Sequence, residues 1–534
     1  MLSQNIDFYK RPWYYISEVY KMDFYANAEY IEFDNVQFFT IVLLPQKSGS
    51  FPTVVFRTPY VQADVEKSEE AIVEGSLRSF SRWLERGYAV VFQHCRGQGK
   101  STGEFVPYIF EREDGLNLRR WIREQSFYNG EIYLCGGSYS SSLNYSTAPF
   151  ESDIKGAVLE IQDYERYRLW YRNGQMRKGH ANWHFGLYKA KSKFNKSFSM
   201  KSFAQLPLQN LSERVLNDRA EDFEQMLLSP FPTDPFWNTR FGGVEARGAT
   251  DNANIPILLS TGYNDFYVGG VFKMWNNMSP ETKKNCALLV SPYNHGDSYN
   301  ALNGIKFPNG KRSEQFGDSY QIDWIDNIRK GTPLPYKKGK ITYYRAFENT
   351  WSGDFYSAAT SPLTLTLGSG IVSFTYDPLS PPAFNEEGTF IGDFNGRTDV
   401  ITLTTKPLDR DVFVKGNMKA TLSVSSSCPD TSFYMCISIK KPQGDYVLRH
   451  DITSLGYSLK DYTENTQVSL DFTFDEHAFL LKKGESLRID ISSTDDNTYV
   501  SHTNRKGPYA LQKGTSLARN SVDLRKSFIT LPIE

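Results

Sequence analysis

An apolar stretch of the chain at residues 132–140 runs into two glycines and a serine, Ser138. Tyr139 and a run of small residues that can begin a helix follow the serine. A strand-to-helix turn of this kind exposes a nucleophilic serine and points the next backbone N–H at developing negative charge. We therefore predict that Ser138 is a nucleophile for acyl transfer. The pattern departs from the usual one at position 140, which is serine where glycine is expected.

A serine nucleophile needs a general base and an acid that orients the base. In the α/β-hydrolase fold the acid and then the histidine follow the serine, on loops after later strands. Asp265 follows the apolar segment 256–260, and His295 follows the segment 287–290. Of the seven histidines, only His295 comes after both Ser138 and an aspartate at a strand end. We predict that His295 is the base and Asp265 the acid.

The tetrahedral intermediate of acyl transfer needs hydrogen-bond donors for its oxyanion. One candidate donor is the backbone N–H of Tyr139, next to the nucleophile. A second should come from the loop after an early strand, and Tyr60 stands after the strand predicted at 53–56. Taken alone, Tyr60 also fits the packing of a turn.

The elements that must position these residues alternate along the chain between apolar strands and amphipathic helices. This alternation predicts an α/β fold, with a parallel sheet covered by helices on both faces. Open α/β sheets place their sites at the carboxyl ends of strands, where each candidate stands. Strands are predicted at 53–56, 88–92, 132–137, 157–161, 256–260 and 287–290, and helices at 66–86 and 112–126.

The alternation is interrupted once and then ends. Residues 165–250 are rich in lysine, asparagine and aromatic side chains, with helical patterns such as 211–228, and we predict an inserted helical cap. From residue 341 onward, short alternating strands separated by Gly, Pro, Asp and Asn predict an all-β sandwich or jelly roll. The predicted organisation is an α/β domain at 1–164 and 251–340, the cap between them, and a β-domain at 341–534.

The composition argues against several classes of function. With 60 basic and 61 acidic residues among 534, the chain has no electrostatic support for binding nucleic acid or a membrane surface. Five widely spaced cysteines without a C-x-x-C pair indicate buried thiols in a cytoplasmic protein, not disulfides or zinc. No stretch approaches the ~18 apolar residues of a membrane span, and the N-terminus has no secretory pattern. We expect a cytoplasmic enzyme without cofactor or metal, and a homo-oligomer is compatible with the sequence.

A Gly-Lys-Ser string at 99–101 is typical of the end of a phosphate-binding loop. That loop needs a glycine at position 94, which is histidine here. We therefore expect no nucleotide binding, and a structural role for His94.

Several strings, in order, resemble the cocaine-esterase-like and X-Pro dipeptidyl-peptidase hydrolases, which include the α-amino-acid ester hydrolases and certain β-lactam acylases. Together with the C-terminal β-domain, the resemblance covers nearly the whole chain. The strings that carry it are Arg57-Thr58-Pro59-Tyr60, the segments 87–91 and 96–105, Gly136-Gly137-Ser138-Tyr139, Gly262-Tyr263-Asn264-Asp265 and Pro292-Tyr293-Asn294-His295.

The resemblance implies an α/β-hydrolase fold with an inserted helical cap and a C-terminal jelly roll. It also implies that the Tyr60 hydroxyl donates to the oxyanion, and it strengthens the assignments of Asp265 and His295. Such enzymes line the acyl pocket from the cap and its exit loop, where Trp170 and Trp237 fall. Packing within the cap is the alternative role for both tryptophans.

Two positions depart from the pattern of the family. The glycine usually found three places after the nucleophile is Ser141, although serine is small enough to allow close packing. The aspartate that often precedes the x-Arg-Gly string is His94, so we expect Arg96 to lack the carboxylate that could pair with it.

The resemblance leaves the substrate class open among esters, amides and Xaa-Pro peptides. A peptidase must bind a substrate ammonium group, for which Asp163 and Glu165 are candidates, although Glu165 is better explained as a solvated surface residue. Dedicated dipeptidyl-peptidases typically carry an extra N-terminal domain, and the roughly 25 residues before the first predicted strand count against that class. A catalytically silent ligand-binding protein, the alternative of another class, would lack a member of the triad, and none is missing.

Overall fold

The protein is built on a central sheet of eleven strands in the computed structural model, which describes residues 13–16, 23–145, 151–162, 164–188, 198–237, 253–356, 360–394, 396–459 and 461–534. In chain order the first strands are β1 (Trp13–Ile16), β2 (Asp23–Phe33), β3 (Val36–Leu44), β4 (Phe51–Thr58), β5 (Ala89–His94), β6 (Tyr128–Gly137), β7 (Ile154–Glu160), β8 (Tyr171–Arg172), β9 (Gln175–Met176), β10 (Ile257–Asn264), β11 (Ala287–Asn294), β12 (Ile341–Arg345) and β13 (Thr350–Ser352).

The order of strands in the central sheet is β1-β2-β3-β5-β4-β6-β7-β10-β11-β12-β13, and β5 through β12 in this order are mutually parallel. Strands β10 and β11 are buried along almost their whole length, as expected for parallel strands covered on both faces. Because β6, β10 and β11 run in the same direction, the residues that follow them meet at one edge of the sheet.

Helices cover both faces of this sheet and form the region between β7 and β10. The described helices are α1 (Glu69–Glu85), α2 (Glu111–Arg123), α3 (Tyr139–Tyr145), α4 (Arg166–Trp170), α5 (Lys178–Tyr188), α6 (Leu211–Leu216), α7 (Glu221–Leu227), α8 (Val268–Asn277), α9 (Pro280–Lys284), α10 (Arg312–Phe316), α11 (Tyr320–Lys330) and, in the β-domain, α12 (Leu455–Ser458).

The helices α4 to α7 form a cap with an aromatic core of its own. Phe223 lies at the centre of this core, against Trp170, Phe185 and Phe198. The continuous helical pattern predicted at 211–228 is wrong in detail. The chain forms two short helices there because Asn217 adopts a left-handed conformation, with φ 62°, and ends the first of them.

The remainder of the chain is a sandwich of two antiparallel sheets, one of eight strands and one of four. Its strands are β14 (Ser361–Thr366), β15 (Ile371–Tyr376), β16 (Ile401–Thr404), β17 (Val412–Gly416), β18 (Lys419–Ser426), β19 (Ser432–Lys441), β20 (Gly444–Ser454), β21 (Val468–Thr473), β22 (His477–Leu481), β23 (Leu487–Ser492), β24 (Ala518–Asp523) and β25 (Phe528–Ile533). The predicted fold class, an α/β core with inserted helices and a C-terminal all-β domain, is confirmed.

The β-domain contacts both other parts of the chain through the backbone. Ala346, beyond β12, forms a bridge with Phe479 of β22. Arg177, between β9 and α5 of the cap, forms an antiparallel bridge with Tyr499. These contacts bring the three parts of the chain together around one cavity.

The string at 99–101 has a structural role. The Lys100 ammonium donates to the carbonyl of Val65 at 2.9 Å, and the Ser101 hydroxyl accepts the N–H of Phe39 and donates to the carbonyl of His94. The expectation that Arg96 lacks a carboxylate partner is wrong. Arg96 donates to both oxygens of Asp114, at 2.5 and 3.1 Å, because α2 brings that residue to it.

All five cysteines lie in the described residues, and each is buried and unpaired. None of the described helices has the length and apolar character needed to cross a bilayer. The described residues contain no group of three or more His, Cys, Asp or Glu side chains that could hold a metal ion.

Candidate active site

The three residues predicted for acyl transfer lie within hydrogen-bond distance of one another. His295 Nε2 is 2.9 Å from Ser138 Oγ, and His295 Nδ1 is 3.0 Å from Asp265 Oδ1. The serine follows β6, the aspartate follows β10 and the histidine follows β11. The parallel pairing of these strands brings together residues that are up to 157 positions apart.

Ser138 lies in a sharp turn, where its backbone is strained. Ser138 has φ 56°, a left-handed conformation that is uncommon for a residue with a side chain and is typical of a nucleophile elbow. Its N–H donates to the carbonyl of Glu160 at 2.9 Å, which ties the turn to β7. A Cβ at Gly136 would stand 2.5 Å from the Ser140 carbonyl, so this turn requires glycine at 136. The serine at 140 is accommodated.

Asp265 is fully buried, and its carboxylate accepts hydrogen bonds from three directions. The Thr261 hydroxyl donates to Oδ2 at 3.1 Å, the Tyr267 N–H donates to Oδ1 at 3.0 Å, and His295 Nδ1 lies against the same oxygen. The imidazole ring of His295 also stacks on Phe266, with ring centroids 4.7 Å apart. These contacts fix the orientation of the ring relative to Ser138.

One of the two groups predicted to donate to the oxyanion, the Tyr60 hydroxyl, lies beside Ser138 Oγ. The Tyr60 hydroxyl is 3.5 Å from it, and the side chain of Tyr60 remains 43% exposed at the cavity. The backbone N–H of Tyr139, at the first residue of α3, points toward the Tyr60 hydroxyl. Burial raises the pKa of that hydroxyl, and its hydrogen bonds with Ser138, Trp183 and the Tyr139 N–H only partly offset the rise. Tyr60 therefore keeps its proton at neutral pH and can donate it in a hydrogen bond.

The side chain of Tyr139 anchors the backbone at this point. Its hydroxyl donates to Glu111 at 2.6 Å and accepts the N–H of Tyr108 at 2.8 Å. Glu111 in turn lies 3.5 Å from the guanidinium of Arg57, which is buried. The backbone N–H next to the nucleophile is thus held by a buried network of charged and hydrogen-bonded groups.

The site opens into a cavity of about 900 Å³ between the α/β core, the cap and the β-domain. Its floor is formed by Ser138, Tyr60 and His295. The cap contributes Arg177, His180 and Trp183, and the β-domain contributes residues that include Tyr499 and Glu387. A cavity of this size holds a small molecule with several distinct substituents.

The tryptophans predicted to line the acyl pocket do not reach the cavity. Trp170 is 1% exposed and packs against His184 and Phe223 within the cap. Trp237 is 2% exposed and donates its indole N–H to a backbone carbonyl. For both, packing within the cap is the role that the structure supports.

Two carboxylates were predicted as candidates for binding a substrate ammonium group. Asp163 lies outside the described residues. Glu165 accepts a hydrogen bond from Lys273 at 2.7 Å and does not line the cavity. The structure therefore gives Glu165 an ion-pair partner away from the site.

The lining residues of the cap were missed from the sequence. His180 and Trp183 stand three residues apart, a spacing that places their side chains on one side of α5, and Arg177 comes directly before that helix. That spacing was the available signal, but it does not indicate which side of the helix faces the nucleophile.

Two family models match most of the chain. The model of X-Pro dipeptidyl-peptidase (S15 family) matches residues 34–297, and the model of the X-Pro dipeptidyl-peptidase C-terminal non-catalytic domain matches residues 339–527. The first match contains Ser138, Asp265 and His295, and the second contains most of the β-sandwich.

Individual relatives extend the similarity over the full architecture. A cocaine esterase from Rhodococcus sp. (strain MB1 Bresler) is 23% identical in an alignment of 559 positions, and the alignment covers 90% of this chain and 92% of the esterase. Among solved structures, an α-amino acid ester hydrolase matches with a TM-score of 0.80 at 18% identity, covering 96% of this chain and 97% of that one. An aminopeptidase from a marine sediment archaeon, Thaumarchaeota archaeon, matches with a TM-score of 0.78, also at 18% identity and with the same coverage. At these identities the solved structures show a common fold.

Proposed function

The chain belongs to the X-Pro dipeptidyl-peptidase (S15) family of serine-hydrolase-type esterases and peptidases, and we propose that it cleaves an ester or amide bond through an acyl-enzyme intermediate. Ser138 is the proposed nucleophile, His295 the general base and Asp265 the acid that orients it. Tyr60 and the N–H of Tyr139 are the proposed oxyanion donors.

The proposed reaction proceeds in two steps. Ser138 Oγ attacks the carbonyl carbon while His295 Nε2 takes the hydroxyl proton, and the carbonyl oxygen becomes an oxyanion. When the intermediate collapses, the bond to the leaving group breaks, and His295 gives its proton to the departing oxygen or nitrogen. Water then attacks the acyl-enzyme by the same route and releases the carboxylic acid. Asp265 holds Nδ1 protonated throughout and stabilises the imidazolium.

The observation that carries the proposal is the pair of distances at His295, 2.9 Å to Ser138 Oγ and 3.0 Å to Asp265 Oδ1. These distances suit transfer of a proton from the serine to the histidine. The strained backbone at Ser138 supports the same assignment, because strain of this kind persists where the surrounding structure requires it.

Replacement of Ser138 by alanine tests the proposal directly. Hydrolysis of a p-nitrophenyl ester should fall to background, while the circular dichroism spectrum and melting temperature stay those of the wild type. Ser79→Ala on the exposed surface of α1 is the matched control, since it also removes one serine hydroxyl, and it should leave the rate unchanged. Full activity of Ser138→Ala would refute the proposal.

A panel of acyl esters, amino-acid esters and Xaa-Pro anilides separates the substrate classes. We expect hydrolysis of esters, which have the better leaving group. Cleavage confined to Xaa-Pro anilides would assign the chain to the aminopeptidases instead. Inactivity on the whole panel, with binding of a panel member detected by calorimetry, would favour a ligand-binding protein.

A further inference from the structure

The cap wall of the cavity carries a cation that has no partner among the residues that the structure describes. Arg177 lines the cavity, and within the described part of the chain its guanidinium forms no ion pair. Its Nε is shielded from solvent and has no hydrogen-bond partner within the same described residues. A guanidinium does not lose its proton in proteins, so this charge is permanent.

The other charged groups around the cavity are neutralised or solvated. Arg172 donates to Asp451 at 2.7 Å and to Asp475 at 3.0 Å. Glu387 accepts a hydrogen bond from Arg449 at 2.8 Å. Glu386 has no ion pair among the described residues, but it is exposed and water can solvate it. Among the described residues that line the cavity, Arg177 is therefore the cation whose charge no carboxylate neutralises.

A partly buried charge without a partner costs free energy unless a ligand supplies the opposite charge. The planar fork of a guanidinium matches a carboxylate, which it can bind through two parallel hydrogen bonds. We infer that Arg177 binds a carboxylate of the substrate, so that this hydrolase acts on esters or amides of dicarboxylic acids that are linked through one carboxyl group. The inference rests on the proposed function, because it names the substrate class of the same site.

Two neighbours, Tyr499 and His180, support this position for an anion. Tyr499 stands opposite Arg177 in a two-residue bridge, so the two side chains project from adjacent points on the same wall. His180, in the first turn of α5, also lines the cavity. Burial, followed by the charges of His184, Arg177 and Arg166, lowers the pKa of His180 well below its ordinary value. That side of the cavity is thus electropositive and holds a neutral histidine.

The position of Arg177 places the carboxylate on the acyl side of the substrate. His295 must reach the leaving atom to protonate it, so the leaving group occupies the wall formed by the loop after β11. The cap wall is left for the acyl chain. Trp183 contacts the Tyr60 hydroxyl at the proposed oxyanion site. Arg177 comes directly before α5, and the part of the helix from Lys178 to Trp183 spans roughly 7.5 Å at a rise of 1.5 Å per residue. A chain of several carbons between the two carboxyl groups would fit this separation.

Hydrolysis of such a half-ester needs only water. The acyl carbon–oxygen bond of the ester breaks, a hydroxyl from water joins the acyl carbon, and the alcohol leaves with the proton from His295. The products are an alcohol and a free dicarboxylate. No oxidant, reductant or additional co-reactant takes part.

The test compares mono-p-nitrophenyl esters of glutaric, adipic and suberic acid with the same esters capped by a methyl group on the second carboxyl. In the wild type at low salt, kcat/KM should favour the free acid over its capped partner by about 10-fold to 100-fold for at least one chain length. Added salt should reduce that ratio. Arg177→Gln should bring the ratio close to unity, chiefly through a higher KM for the acid, and Arg177→Lys should retain part of it.

Arg78→Gln on exposed α1 is the matched control, and it should keep the wild-type ratio. A wild-type ratio near unity at all three chain lengths would overturn the inference, and this arm does not depend on the folding of any variant. A high ratio that survives in a folded Arg177→Gln variant would overturn it as well, as would a preference for esters with a free α-ammonium group. The carboxylate can also be placed on the phenol leaving group. An equal gain in kcat/KM for such an ester would refute the position of the carboxylate on the acyl side. If the wild type hydrolyses neither the acids nor their capped partners, the proposed function itself fails.

Discussion

Replacing Tyr60 by phenylalanine isolates the proposed contribution of one hydroxyl to catalysis. The substitution removes the donor that lies 3.5 Å from Ser138 Oγ and keeps the ring in place. The N–H of Tyr139 remains, anchored through the bond from its side chain to Glu111. The variant therefore retains one of the two proposed oxyanion donors.

The expected loss in kcat follows from the contribution of one such donor to catalysis. Removing an oxyanion donor typically lowers kcat by about 10²–10³, or about 2.7–4 kcal/mol. Tyr60 is 43% exposed and water can partly replace it, so we expect a loss in kcat around the lower end of this range, about 30-fold to 300-fold. The KM should change little, because the hydroxyl acts on charge that develops in the transition state.

The assay is steady-state hydrolysis of a p-nitrophenyl ester by the wild type and the variant. Tyr30→Phe is the matched control, since Tyr30 is 42% exposed and donates its hydroxyl to Glu69 away from the cavity. That variant should keep the wild-type kcat. A kcat for Tyr60→Phe within threefold of the wild type would refute the role of this hydroxyl in the oxyanion site.

Three further changes test other parts of the account. Asp265→Asn should lower kcat by a factor of about 10⁴, because the amide no longer holds the required tautomer of His295. Stopped-flow or long-time ester assays would detect this loss, and a loss below tenfold would contradict the role of Asp265. Gly136→Ala should lower the free energy of unfolding by about 1–3 kcal/mol in urea titrations, because the alanine Cβ would stand 2.5 Å from the backbone of Ser140. An unchanged free energy of unfolding would mean that the turn relaxes freely. Burial, and then the charge of a neighbouring carboxylate, raises the pKa of Glu476 from 4.5 to about 7. Between pH 4.5 and about 7 the folded state therefore binds a proton that the unfolded state has released. The free energy of unfolding falls as the pH rises through this range, by about 3 kcal/mol at most. Glu476→Gln should remove this fall in urea titrations across pH, and the same pH dependence in that variant would exclude Glu476 as its source.

The elements around the nucleophile could be predicted because parallel strands buried on both faces are short, nearly continuous apolar runs. Ser138, Asp265 and His295 each follow such a run, and parallel pairing brings the ends of those runs together. The change to short alternating strands after β13 likewise indicated the all-β domain. Local sequence carries this information because strand type and strand direction follow from local patterns and their order.

The walls of the cavity could not be predicted in the same way. Trp170 and Trp183 both lie in the cap, and only the packing of its helices around Phe223 decides which tryptophan faces the nucleophile. The pairing of Arg96 with Asp114 joins groups 18 residues apart that the course of α2 brings together. Such contacts depend on tertiary packing, which the periodicity of a single segment does not encode.

The central claim is that Ser138 is a nucleophile activated by His295. Diethyl p-nitrophenyl phosphate tests it most directly, because an activated serine attacks phosphorus and retains the phosphoryl group. We predict stoichiometric release of p-nitrophenolate, complete loss of ester hydrolysis, and a diethylphosphoryl group that tandem mass spectrometry places on Ser138. Label on a different residue, or full hydrolysis by the completely labelled protein, would contradict the account.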